Sequence, residues 1–104
     1  MKKSKNNHPG KTLTNDFLKP SGISGYKLAT DINIPQTRVS EIIRGNRRIT
    51  ADTALRFSKY FNNSASYWLN LQNDHDLELE SKKLKSEIKK IKAFSNKRSK
   101  KKKK

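Results

Sequence analysis

The sequence predicts an all-α fold: a bundle of short helices in one small domain, with strongly basic ends. Three observations predict it. Apolar residues recur at helical spacing, no stretch alternates apolar and polar residues as a half-buried strand would, and helix-capping residues punctuate the chain at short intervals. At 104 residues, 31% of them hydrophobic, the chain has material for one compact unit plus tails. Many enzyme folds need a larger core than that.

Residues 12–19 (TLTNDFLK) place Leu13 and Phe17 four apart with Leu18 beside them, which reads as a short amphipathic helix closed by Pro20 and Gly22. Ser24 caps a second helix that carries Leu28, Ala29 and Ile32 inward. Asn33 then suits a tight left-handed turn. Pro35 takes the first position of a third helix, 35–44, where its missing N–H costs nothing. Val39, Ile42 and Ile43 form the inward row of that helix, and Gly45 ends it. Thr50 caps a fourth helix with Asp52 in its first turn, favoured there by the helix dipole. Ala54, Leu55, Ser58 and Phe61 are expected on its buried side. Ser64 caps a fifth helix, which opens with Tyr67, Trp68, Leu69 and Leu71.

Past Asp74 the fifth helix changes character. Asp74, Asp76, Glu78 and Glu80 form an acidic patch, and a basic stretch starts at Lys82. Leu77, Leu84 and Ile91 recur every seven residues with Ile88 between them. That pattern supports either a short coiled coil or a helix that frays into the tail.

The formal net charge is +16, from 25 Lys and Arg against 9 Asp and Glu, and it is unevenly spread. Residues 1–7 carry +3, residues 8–81 only +1, and residues 82–104 carry +12. The chain therefore divides into a basic N-terminal arm (1–7), a nearly neutral helical domain (8–81) and a Lys-rich helical extension with a basic tail (82–104). The run SNKRSKKKKK (95–104) is expected to be disordered, as a solvated tail or as an electrostatic arm on nucleic acid that reads no sequence. Any sequence reading must come from the domain itself. There is no Cys, which excludes a disulfide framework and thiolate metal sites. No apolar run approaches the ~20 residues of a membrane span. The N-terminal MKKSKNNHPGK has no apolar stretch behind it, so it does not read as a secretory signal and a cytoplasmic location is expected.

The second helix, the turn and the third helix make a helix-turn-helix candidate. With Val39, Ile42 and Ile43 facing inward, Gln36, Thr37, Arg38, Ser40 and Glu41 are left to face a DNA major groove, which admits an α-helix. Gln pairs with adenine, Arg with guanine, and Thr meets a thymine methyl or a phosphate. Arg44, Asn46, Arg47 and Arg48 follow directly and are expected on the phosphate backbone. Arguments for an enzyme lack material. His8 and His75 are the only histidines, and the successive side chains of Asp74-His75-Asp76 diverge on a helix, so a solvated acidic face is expected there. No phosphate loop or activated nucleophile spacing is visible, and no metal or other cofactor is expected.

Residues 8–78 resemble the HigA-type antitoxins, a branch of the lambda-repressor-like helix-turn-helix proteins. The resemblance rests on His8-Pro9-Gly10, the segment from Pro35 through Gln36, Thr37, Arg38 and Val39 to Ile42, Arg44-Gly45, the run from Ile49 to Arg56, and the stretch from Tyr67 to Gln72. It implies a five-helix domain that binds a palindromic DNA operator as a homodimer and represses its own operon. It also implies neutralisation of a HigB-type toxin, a ribosome-dependent mRNA endonuclease; an orphan regulator of the same fold with no toxin is the alternative. By the same resemblance the dimer is built by the fifth helix, with Tyr67, Trp68 and Leu71 as candidates against ordinary core packing. Two positions depart from the wider pattern. Gly25 stands where Gln usually contacts a phosphate, and Asn33 replaces the usual turn Gly.

Overall fold

The computed structural model describes residues 8–95. The arm at 1–7 and, apart from Ser95, the run 95–104 lie outside the described residues. The regular structure among the described residues is entirely helical.

The first helix, α1, spans 9–21 in three joined segments: an α-helical turn Pro9–Thr12, a π-helical stretch Leu13–Leu18 and a final turn Lys19–Ser21. It begins earlier than the amphipathic pattern suggests because His8 caps it. The His8 Nδ1 accepts the Gly10 N–H at 2.9 Å, and Pro9 fills the first helical position. Pro20 does not close the helix. Its ring would press on the carbonyl four residues back, and it has no N–H to donate. The chain widens into the π stretch just before it, with the Lys19 N–H bonded to the Thr14 carbonyl, and turns out at Gly22 (φ 70°).

Helix α2 (Gly25–Ile32) starts as expected, with the Ser24 hydroxyl accepting the Lys27 N–H at 3.0 Å. It ends at Asn33 in left-handed backbone (φ 61°, ψ 51°). Pro35 is the N-cap of α3 (Gln36–Ile43) and not its first helical residue: its ψ of 141° is extended. Leu28, Ala29, Ile32, Val39 and Ile42 are buried, while Ile43 is partly buried against the same core. Burying each of the larger side chains contributes about 1.5–3 kcal/mol.

Helix α4 (Ala51–Phe61) follows Thr50, which occupies the N-cap position but makes no capping hydrogen bond with its side chain. Its buried residues are Thr53, Ala54 and Phe57. Leu55, expected inside, is 61% exposed. Phe57 packs edge-on against Trp68 at 5.0 Å, and at 3.6 residues per turn that orientation carries Leu55 to the opposite side of the helix. Asn62 (φ 60°) ends α4, and Ser64 caps α5 (Ala65–Lys83) by accepting the Tyr67 N–H at 3.0 Å.

Trp68 is fully buried, its indole N–H donating to the Asn63 side chain at 2.9 Å and its ring packed against Phe17 and Phe57. The proposed dimer residue Trp68 is therefore a core residue, with no surface to offer a second copy. Tyr67 is exposed on its outer edge and Leu71 is half-buried. Helix α5 runs unbroken past Asp74 to Lys83, bends at Leu84, and is followed by the short α6 (Lys85–Lys89). Ile91 and Phe94 lie beyond the last helix, at 71% and 82% exposure.

Candidate DNA interface

Two helices and a turn set the geometry of the site. Asn33 reverses the chain in left-handed backbone, and the Ile34 N–H returns to the Ala29 carbonyl at 3.1 Å, closing the end of α2. The α3 helix is then seated from below by Val39 and Ile42, both at 0% exposure. Gly10 of α1 crosses behind it at backbone contact. A methyl at that position would collide with the Ile42 carbonyl oxygen and lie 2.9 Å from its carbon. Gly25 lies against α3 as well, where a Cβ would sit 3.1 Å from the Ile43 Cδ1. Gly25 thus marks a snug contact between α2 and side chains of α3, one that a shift of the Ile43 tip could relieve.

The outward side of α3 is mixed. Gln36 and Thr37 are exposed in the first turn. Arg38 is not free as a base reader: its Nη1 donates to Asp52 Oδ1 at 3.2 Å and to the Thr53 hydroxyl at 3.4 Å, and its side chain is 27% exposed. Reaching a guanine would require it to leave both partners. Ser40 is half-buried and accepts a bond from Arg44 at 2.9 Å. Glu41, also half-buried, accepts from Arg47 Nε at 2.9 Å in a solvent-exposed pair that holds little free energy.

The loop after α3 presents Arg44, Asn46, Arg47 and Arg48, all exposed. Helix α5 holds it in place. Gln72, buried in α5, accepts the Ile49 N–H at 2.7 Å and donates to Asp76 at 3.0 Å, while Asp76 pairs with Arg48. Asp76 is thus part of a network and not of a solvated acidic face. Burial works to raise its carboxyl pKa, but the hydrogen bonds from Arg48 and Gln72 prevail and leave it below the ordinary value. The His8 ring meets the His75 ring edge-on at 5.0 Å beside the same loop. Burial, then His75, lowers the pKa of His8.

A second clamp works from α4. Arg56 donates to Asp52 at 2.7 Å and to the Ile32 carbonyl at 2.8 Å, which ties the end of α2 to the start of α4. The hydrogen bond from Arg56 holds the Asp52 carboxyl below the usual carboxylate range, with Arg38 adding to the effect. Sequence reasoning missed Asp52, Arg56, Gln72 and His8 as supports of the interface. The spacing of four on a helix, in Asp52/Arg56 and in Gln72/Asp76, is the local signal for three of them. Among the described residues, no group of three or more His, Cys, Asp or Glu is placed to hold a metal ion, and no helix is long and apolar enough to cross a membrane.

A domain model described as helix-turn-helix matches residues 16–68, which include both helices of the motif and the Asp52/Arg56 clamp on α4. The chain belongs to the helix-turn-helix family. Its relatives include virulence-associated protein I of Dichelobacter nodosus, 46% identical over 72 residues that make up 69% of this chain and 67% of that protein. Among solved structures it is similar to a HigA-family addiction module antidote protein of Coxiella burnetii (37% identity, TM-score 0.82, 88% of this chain and all of that one). It is similar also to the Pseudomonas aeruginosa antitoxin HigA, whose structure was determined with the higBA promoter (33% identity, TM-score 0.84, 88% of this chain and 100% of that one). The all-α helix-turn-helix fold is thus that of HigA antitoxins.

Proposed function

We propose that this protein is a HigA-type antitoxin that binds the palindromic operator of its own operon as a homodimer and neutralises a HigB-type mRNA endonuclease. One observation carries the reading. The α3 helix turns Gln36 and Thr37 outward while Val39 and Ile42 anchor it, in a chain that shares the fold of a HigA described with its promoter. In this reading Gln36 and Thr37 read base edges, and Arg44, Asn46, Arg47 and Arg48 hold phosphates, which position the protein without specifying sequence. Arg38 serves first as a strut to α4. The dimer surface on α5 falls to Tyr67 and Leu71, and recognition helices about 34 Å apart meet successive major-groove faces.

Two measurements test the proposal. Binding to the DNA upstream of the protein's own reading frame should exceed binding to a scrambled duplex, and the complex should contain two copies. Co-expression with the neighbouring reading frame should restore growth and co-purify both proteins. Equal affinity for both duplexes removes the operator reading. Operator binding without rescue or co-purification leaves a helix-turn-helix regulator with no toxin.

A further inference from the structure

The cationic extension leaves the domain next to the loop that follows α3. Gln72 and Asp76 fasten α5 to Ile49 and Arg48, so the next turns of α5 lie beside Arg48. Arg48, Asp76, Leu79, Glu80, Lys82 and Lys83 border one shallow depression. From there Lys82, Lys83, Lys85, Lys89, Lys90 and Lys92 follow with Glu87 as their single acid, all of them exposed. Lys82 and Lys83 touch Glu78 and Glu80 at 3.7 Å, but pairs this exposed hold little free energy and leave the lysines available. The domain before them is nearly neutral, so the positive field of the described chain concentrates on this extension.

We propose that the end of α5 and α6 form a second backbone-contact surface, which grips phosphates of double-stranded DNA flanking the site read by α3. The proposal rests on the operator-binding reading. A polyanion fits this surface on two grounds. The surface continues the basic loop of Arg44, Arg47 and Arg48, and a second copy placed on it would bring the same lysines face to face. The phosphate contacts add affinity and salt dependence without reading sequence.

The test uses the full chain, wild type and with Lys82→Gln, Lys83→Gln, Lys85→Gln and Lys89→Gln combined, since Gln keeps helix propensity while removing charge. Each is titrated onto duplexes from the DNA upstream of its reading frame, with flanks extended by up to about one helical turn. The wild type should bind more tightly as the flank lengthens. The variant should lose that gain, and its salt slope should fall by about one unit for each lysine that meets a phosphate. Its preference for operator over scrambled core should be unchanged. Equal wild-type affinity for short and long duplexes overturns the proposal. So does a flank gain that survives in the variant but disappears when residues 96–104 alone are deleted. Loss of self-association with the flank gain intact assigns the surface to a second copy and overturns it as well. Absence of operator preference at every length counts against the operator reading instead, because the flank comparison is scored on scrambled duplexes too.

Discussion

Replacing Gly10 with Ala sets two effects against each other. In an ordinary helix this change is favourable by up to about 1 kcal/mol, because Gly loses more backbone freedom on folding. Here the new methyl would meet the backbone of α3, with the Ile42 carbonyl carbon at 2.9 Å, the Ile43 Cα at 3.1 Å and the Ile42 oxygen nearer still. Carbon atoms pack comfortably at about 3.5 Å or more, so clearing the carbonyl carbon alone moves α1 by about 0.6 Å, and clearing the nearer oxygen moves it further. Both sides of the clash are backbone, and no rotamer change relieves it. Overpacking of this kind costs about 1–3 kcal/mol, and retreat also disturbs the His8 cap and the seat of α3. The net expectation is a loss of about 1–2 kcal/mol, or a fall in Tm of roughly 5–15 °C for a domain of this size. Thermal unfolding followed by circular dichroism measures it. Gly22→Ala is the control, since that residue has φ 70° but no neighbour within 4 Å, so backbone strain alone is at stake. A Gly10→Ala protein as stable as wild type, or more stable, would refute the close crossing of α1 and α3.

Gln36→Ala should lower operator preference by about 1–3 kcal/mol, whereas Arg47→Ala should weaken operator and scrambled DNA alike and reduce the salt slope by about one unit; identical profiles for the two variants in a salt-dependent binding titration contradict the assignment. Arg38→Ala should lower affinity equally on both DNAs because the side chain is held by Asp52 and Thr53, and a selective loss on the operator shows that it leaves them to read a base. Gln72→Leu strands the buried Ile49 N–H and should cost about 1–3 kcal/mol in urea unfolding; an unchanged midpoint with unchanged m-value speaks against that bond. His8 has a folded pKa below its ordinary 6.5, so its contribution to stability is complete above that value and is lost as pH falls through the lower folded one. Tm should therefore drop more steeply on acidification in wild type than in His8→Asn, whose amide oxygen still caps α1, and parallel curves count against this account.

Local signals made much of the motif legible in the sequence. Ser24, Asn33, Gly45 and Ser64 do what their chemistry suggests at helix ends, and the inward spacing of Val39 and Ile42 places α3 correctly. The failures share a cause, which is contact between residues distant in sequence. Ala54, Leu55, Phe57 and Phe61 allow two phases for α4, and only packing against Trp68 selects the one that buries Phe57. Arg38 looks free until Asp52, fourteen residues later, is placed beside it. Pro20 reads as a terminator because a π-helical adjustment leaves no residue-type signature. Gln72 stood within a recognisable run, yet nothing local shows that its amide would close a loop more than twenty residues earlier.

The lone tryptophan gives the molecule a built-in optical gauge. Trp68 is the single Trp of the chain, sealed among phenylalanines in the folded state. Its emission should be blue-shifted while the bundle is intact and move to the red when water reaches the indole. Because the ring is fully buried while Gln36 and Thr37 are exposed, unfolding can be followed by fluorescence in the presence of oligonucleotide without attaching a dye.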